Sequence, residues 1–314
     1  MKLYVPDYYP EFQCIAGACQ HNCCIGWEIE IDEESYLKYA NVSGKLGERL
    51  EKNISKEHSF ILDEKERCPF LNDRNLCDLI LELGEESLCN ICRDHPRFRN
   101  FFEDRTEMGL GICCEAAGNL ILGKKEPFHL LCIEDDEKEE LQYPEEQAFY
   151  DFRDSLFSLL FDRAKQLKER ILDIIHQYQI PVVKKPFAQW KQIYLKLERM
   201  DSVWEEYVQE LDEGKLIDVF CVPEYETVQE QLLGYFFFRH LPDGVYDGSI
   251  PERIAFGLLS TYIISLLYDG ISKKSGKNDL SLWVEIARIY SSEIEYSQEN
   301  MEALLEMLRT DMKK

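Results

Sequence analysis

Basic side chains are scarce in this 314-residue chain: 36 Lys and Arg stand against 60 Asp and Glu, a formal net charge of −24. A surface this acidic repels phosphate backbones and anionic lipid, which argues against nucleic-acid and membrane partners. Solubility alone accounts for such a charge, and a basic, lysine-bearing partner is the complementary one. No G-x-G-x-x-G follows a strand-like run, so the usual Rossmann-type adenosylmethionine or dinucleotide pocket is not visible. No G-x-x-x-x-G-K-[ST] phosphate loop occurs either. Met1–Phe12 holds one Lys, two prolines and no apolar run, so it does not read as a secretory leader. The most apolar stretch, Ile254–Leu267, is interrupted by Ser260, Thr261, Tyr262 and Ser265 and falls short of the roughly 20 residues of a membrane span. A cytoplasmic protein is the expectation. Histidine is rare too, and His95, before Pro96-Arg97, reads as structural rather than catalytic.

Cysteine is all but missing from the last 200 residues, which hold only Cys132 and Cys221. The other ten crowd into the first 114: Cys14, Cys19, Cys23 and Cys24, then Cys68 and Cys77, Cys89 and Cys92, and Cys113 and Cys114. Thiols scattered through a core would not fall in such groups. Several short loops each carrying a thiolate are what a soft metal or an iron–sulfur cluster requires. In a cytoplasmic chain the thiols stay reduced, and the adjacent pairs Cys23-Cys24 and Cys113-Cys114 would bridge only with strain, so a disulfide framework is set aside. Zinc remains the alternative metal, because four thiolates satisfy one tetrahedral ion. Only Cys89 and Cys92 show the C-x2-C spacing of a zinc knuckle, and the iron–sulfur reading is preferred. A radical-type C-x3-C-x2-C triad fails, since Cys19 and Cys23 are followed by Gly26 where a third Cys is needed.

The periodicity predicts a mainly α fold: a cysteine-rich, loop-rich metal-cluster module at 1–132, an acidic linker at 133–148 with Pro144, and a helical domain at 149–314. Trp27–Asp32 alternates like a strand, and Asp32 reads as the N-cap of a helix with acids in its first turn. A further short helix is expected over Glu85–Cys92. Phe149, Phe152, Leu156, Leu159, Leu160, Ala164 and Leu167 form one apolar stripe. Helices are expected over Phe187–Met200, Ser202–Glu213, Tyr225–His240, Pro251–Tyr268, Leu280–Tyr296 and Glu299–Met312, with Pro181 and Pro186 as punctuation.

An ordered set of motifs resembles the flagellin lysine-N-methylase family. It comprises F-x-C-x4-C-x3-C-C-x-G-W-x-I-x-I-D at Phe12–Asp32, C-P-F-L through Leu-Cys at Cys68–Cys77, and L-G-E at Leu83–Glu85. It continues with C-x2-[YH]-P-R ending at Arg97 and C-x-E-A-A at Cys113–Ala117. The resemblance covers the first 125 residues, with only a thin continuation in the Tyr-Phe-Phe-Phe-Arg-His-Leu-Pro stretch and at Tyr246–Gly248. It implies an iron–sulfur protein, with one or more clusters of the 4Fe-4S type, that moves a methyl group from S-adenosylmethionine to lysines of flagellin. The positions that match as metal ligands are Cys14, Cys19, Cys23, Cys24, Cys68, Cys77, Cys92 and Cys113. Cys89 is additional to the family pattern, and Cys114 stands where the family tends to have Pro.

Such a transfer needs a neutral amine, and lysine has an ordinary pKa near ~10.4. Tyr246 and Asp247 are the catalytic candidates on that reading; a turn built on Asp247-Gly248 is their plainer role. Two alternatives stand beside the methylase: a non-catalytic metal-binding or redox-sensing protein, and an enzyme of the same scaffold acting on another peptide or a small molecule.

Overall fold

The computed structural model of the chain describes residues 2–135, 143–181, 187–211 and 218–312. Residues 136–142 of the expected linker, Pro186 and Glu213 lie outside the described residues. Two compact units divide the chain, one of Met1–Phe12, Arg99–Cys113 and Ala117–Lys314, the other of Gln13–Phe98 and Cys114–Ala116.

The first unit is mainly helical around a small sheet that periodicity does not announce. Its strands β1 (Lys2–Pro6), β2 (Arg97–Phe101), β3 (Arg105–Leu110) and β4 (Leu130–Glu134) lie in the order β2-β3-β1-β4. β1 runs parallel to β3, with Lys2 opposite Arg105, and antiparallel to β4, with Pro6 opposite Leu130. Strands of five or six residues are too short to show their alternation in the sequence. These pairings draw segments from the first 132 residues into the helical unit, so the units do not follow a single cut along the chain.

In the unit of Gln13–Phe98, helix α1 (Glu33–Ala40) begins where expected, with the Asp32 carboxylate accepting from the Ser35 amide at 3.0 Å. Then come α2 (Gly44–Asn53), α3 (Asp78–Leu83) and α4 (Asn90–Asp94). The Trp27–Asp32 strand is not formed: only isolated bridges occur, Ile25 to Arg67 and Glu30 to Ser59. Ile29 and Ile31 still point into the core, which is why the segment alternates. The expected Glu85–Cys92 helix is broken into a 3-10 turn at Glu85–Ser87 and α4, with Leu88 and Cys89 extended between them. One apolar cluster holds this unit, built on Ile29, Ile31, Tyr39, Leu50, Phe60 and Phe70 among others.

Helix α5 (Glu115–Gly123) leads from the cysteine pair at 113 and 114 into the helical unit. There the long stripe splits into α6 (Pro144–Leu160) and α7 (Leu167–Gln177), because Gln166 and Glu169 form a capping box that starts a new helix. Next are α8 (Phe187–Tyr194), shorter than expected, α9 (Ser202–Gln209), α10 (Glu226–His240) and the single turn α11 (Gly244–Asp247). Helices α12 (Ile250–Ser275), α13 (Leu280–Ile294) and α14 (Gln298–Met312) close the unit.

At 26 residues α12 outruns its apolar segment and is long and apolar enough to cross a membrane, so the expected shortness fails. Its burial tells against that role, since most of the apolar window lies inside the protein. α10 packs against it with Tyr235, Phe236, Phe237 and Phe238 fully buried. The two backbones come close where α12 carries Gly257, at which a Cβ would lie 2.8 Å from the Phe237 ring.

Candidate metal centre

Five cysteines share the apolar cluster of the Gln13–Phe98 unit: Cys68 and Cys89 lie within it, and Cys24, Cys77 and Cys92 pack against it. Four loops bring them there. The Cys68 amide donates to the Cys24 carbonyl at 2.9 Å, tying the first loop to the second. Cys77 and Cys89 are the N-cap residues of α3 and α4, and Cys92 follows one turn into α4. Tyr39, from α1, fixes the segment before Cys89 by donating to the Ser87 carbonyl at 2.9 Å.

The thiols feel one another. Cys68 is pushed up to about 11 by burial, with the Cys77 and Cys89 thiols adding to the rise and the Phe70 and Leu71 amides opposing it. Burial likewise raises Cys77, against the Ile80 and Leu79 amides. Cys89 is drawn down to about 7 by the hydrogen bond that the Cys92 thiol gives it, while Cys92, donating that bond and buried, is held protonated. Cys23 and Cys24 form a second such pair, with Cys23 lowered by its bond from Cys24 and Cys24 raised.

A smaller group lies at Cys19. Its thiol is 3.2 Å from the His21 carbonyl and 3.6 Å from Glu115, whose carboxylate also accepts the Gln20 amide at 2.9 Å. Burial is the main cause that pushes Cys19 up to about 12, with Glu115 and Cys114 adding to it. Cys14 is exposed and accepts the Ala16 amide at 3.4 Å. His95 is lowered to about 4 by burial and then by Arg97, which keeps its imidazole uncharged at neutral pH.

Among the described residues, no three His, Cys, Asp or Glu side chains stand in a mutual arrangement that would hold a metal ion. The thiols share a neighbourhood without sharing a point. As a donor set they fit a soft metal: sulfur only, drawn from separate loops, with backbone amides directed at several of them. Cys89, left out of the eight positions carried by the resemblance, sits inside this group. Its C-x2-C spacing to Cys92 was the local signal for it. Cys113, one of the eight, belongs to the helical unit instead.

There Cys113 meets a buried charged network. At Gly111, just after β3, a Cβ would lie 2.7 Å from the Tyr296 hydroxyl, 3.1 Å from Arg239 Nη1 and 3.3 Å from the Cys113 sulfur, so only glycine leaves room for the three. Arg239 donates to the Tyr235 hydroxyl at 2.7 Å, and Tyr235 donates to Glu295 at 3.0 Å. His240 Nε2 reaches the same carboxylate at 2.6 Å. Burial pushes Glu295 up, but Arg239 and His240 outweigh it and keep the carboxyl below its usual range. Tyr235, Arg239 and His240 lie in the stretch that carries the thin resemblance without being named there as site residues, and the distant Glu295 carries no pattern in the sequence.

Tyr246 and Asp247 are neighbours on α11 with different engagements. Asp247 accepts the Ser249 amide at 2.9 Å and pairs with Arg253 at 3.1 Å, and Gly248 follows at φ +71°, the turn geometry that Asp-Gly favours. Burial raises its carboxyl, yet the bonds from Ser249 and Arg253 leave it lowered. Tyr246 donates to Glu146 at 3.0 Å and lies 3.3 Å from the Phe101 carbonyl; burial and then Glu146 push its phenol up to about 12.

These features define a mainly helical protein with a small mixed sheet and a separate thiol-rich unit. Residues 126–314, more than half the chain, match the model of the FliB lysine N-methylase C-terminal domain, and the chain belongs to that family. It is similar to the lysine-N-methylase of Salmonella typhimurium (strain LT2), 24% identical over 138 residues, which are 40% of this chain and 33% of that protein. It is similar also to the flagellar biosynthetic protein FliU of Salmonella muenchen, 26% identical over 134 residues, 40% of this chain and 79% of that one. The chain therefore spans about a third of the length of the first of these relatives. No solved structure matches. The family model falls on the half in which the sequence motifs gave only a thin resemblance.

Proposed function

We propose that the chain methylates lysine side chains of a partner protein, flagellin foremost, with S-adenosylmethionine as donor and an iron–sulfur cluster held by its thiols. The observation that carries this reading is the match of residues 126–314 to a lysine N-methylase domain. In the transfer the neutral amine nitrogen attacks the sulfonium methyl carbon, the carbon–sulfur bond breaks, and the sulfonium leaves as a thioether. The ammonium proton must leave beforehand, so the site has to desolvate the lysine or take up that proton.

Cys24, Cys68, Cys77, Cys89 and Cys92 are the thiols that would hold the cluster, with Cys23 beside them. When bound, such a group supplies an iron site for polar ligands or a structural brace. Tyr246 and Asp247 enter as residues that shape and charge the surface near α11, because each already spends its polar atoms on Glu146, Ser249 and Arg253.

The test is anaerobic reconstitution followed by incubation with S-adenosylmethionine and flagellin. The expected result is successive one-methyl mass increments on flagellin lysines. An iron-loaded protein that leaves flagellin unmodified would point instead to the metal-binding, redox-sensing alternative, and a protein holding only zinc would overturn the cluster.

A further inference from the structure

The two most exposed large apolar side chains among the described residues are Phe101, 68% exposed, and Tyr246, 64% exposed. They come from distant parts of the chain, the end of β2 and the turn α11. The Tyr246 hydroxyl lies 3.3 Å from the Phe101 backbone carbonyl, which brings α11 beside the end of β2. Single exposed apolar residues are ordinary, whereas the two largest exposures of a unit falling together mark a surface used for contact.

The surroundings of this pair are acidic. Glu146 anchors the patch, accepting from Tyr246 at 3.0 Å and from the Glu103 amide at 3.0 Å. Glu103 and Asp104 form the turn between β2 and β3, and Asp243 and Asp247 flank Tyr246 on α11. The nearby cations are already engaged. Arg253, itself nearly buried, pairs with both Asp243 and Asp247, and Arg105 lies over the Tyr150 ring at 3.3 Å and pairs with Glu107. Arg99, two residues before Phe101 on β2, is a further basic group on this strand.

From this juxtaposition we infer that Phe101 and Tyr246, with the exposed Glu103 beside them and the buried Glu146 carboxylate bonded to Tyr246, form a docking surface for a lysine-bearing segment of a partner protein. Aromatic faces attract an ammonium through their quadrupole, and carboxylates add long-range attraction. A lysine ammonium keeps its charge when methylated, so the surface holds modified and unmodified lysines alike. The choice of lysine over other cations rests on the lysine-methylating reading; the surface itself does not.

The probe is a short fluorescein-labelled lysine–glycine peptide, with a norleucine–glycine peptide as its uncharged twin, titrated against the full chain by anisotropy. The lysine peptide binds and its affinity falls with salt, while the norleucine peptide does not bind. Phe101→Ala with Tyr246→Ala weakens binding about tenfold, whereas Tyr246→Phe, which keeps the ring, stays within about twofold of the parent. Glu103→Lys, a change on an exposed turn that does not threaten folding, weakens it as well. Equal binding of the two peptides, or a loss under about twofold in both the double variant and Glu103→Lys, overturns the proposal. If the peptide binds in this pattern but no flagellin lysine is methylated, docking stands and the methylase reading falls. Methyl transfer with an unchanged KM in the double variant leaves the methylase reading standing and removes the docking surface.

Discussion

The two units solve the problem of a core in different ways. The helical unit buries long helices, α10, α12 and α13, around stacked aromatics, and its buried charges are paired: Arg153 with Glu107 at 2.5 Å, Arg239 and His240 with Glu295. The Gln13–Phe98 unit has helices of five to ten residues, isolated bridges in place of a sheet, and thiols where a larger core would continue. A core completed by aliphatic groups is stable by itself. One edged by mutually perturbed thiols gains most from something that joins them, because binding energy at such a site is folding energy.

If the thiols hold metal as proposed, stripping it is the experiment that separates the units most. With a chelator and reductant present, the Gln13–Phe98 unit is expected to lose on the order of 10 kcal/mol and to open to protease, while α10 to α14 stay protected. Limited proteolysis with mass mapping of the whole chain reads this directly, and Cys68→Ser should reproduce it without a chelator. Identical maps with and without metal would mean that the thiols do not support this unit.

A cut in the opposite direction comes from Glu107, fully buried between Arg105 at 2.7 Å and Arg153. Glu107→Ala strands two guanidinium groups and should cost the helical unit about 3–5 kcal/mol. Thermal unfolding would show it as a lowered Tm, with the metal content of the protein unchanged. A loss below about 1 kcal/mol would mean that the arginines find water or other partners.

How far each unit was readable follows from the same contrast. Helices α13 and α14, with one periodic apolar face, and α10 and α12, apolar on nearly every side, were legible because each one's burial pattern is written in its own residues. The sheet was not, because β1 depends on β3 and β4, about a hundred residues away, and five residues hold too little pattern. Ile29 and Ile31 alternated truly but without a partner strand, so burial was readable and strand was not. The thiol crowding was plain in the sequence. Which thiols gather was not, and the family pattern hid Cys89 while the bare spacing Cys89-x2-Cys92 pointed to it. The Arg239–Glu295–Tyr235 network was legible only in part: the stretch from Tyr235 to Pro242 carried the thin resemblance, but nothing pointed to Glu295, since only the packing of α10 against the chain after α13 brings those residues together.

The finest test of the contrast concerns how the loop-rich unit orders its short helices. Asp32 serves two of them: Oδ1 accepts the Ser35 amide at 3.0 Å in α1, and Oδ2 accepts the Asn90 amide at 2.8 Å at the start of α4. Burial acts to raise this carboxyl, but the Asn90 and Ser35 amides outweigh it and the pKa is lowered. With the folded value below the unfolded one, the ionised cap contributes stability above the ordinary Asp pKa of about 3.9, and loses it as pH falls through the folded value. Asp32→Ala should cost about 1–2 kcal/mol near neutral pH. Asp32→Asn keeps one carbonyl oxygen and one of the two caps, so it should cost less and remove the acid dependence. Urea unfolding of both variants and the parent at neutral pH and at about pH 2.5, below the ordinary Asp pKa, measures this. Equal losses in the two would show that one cap alone matters, and that α4 begins at Asn90 for reasons within its own loop.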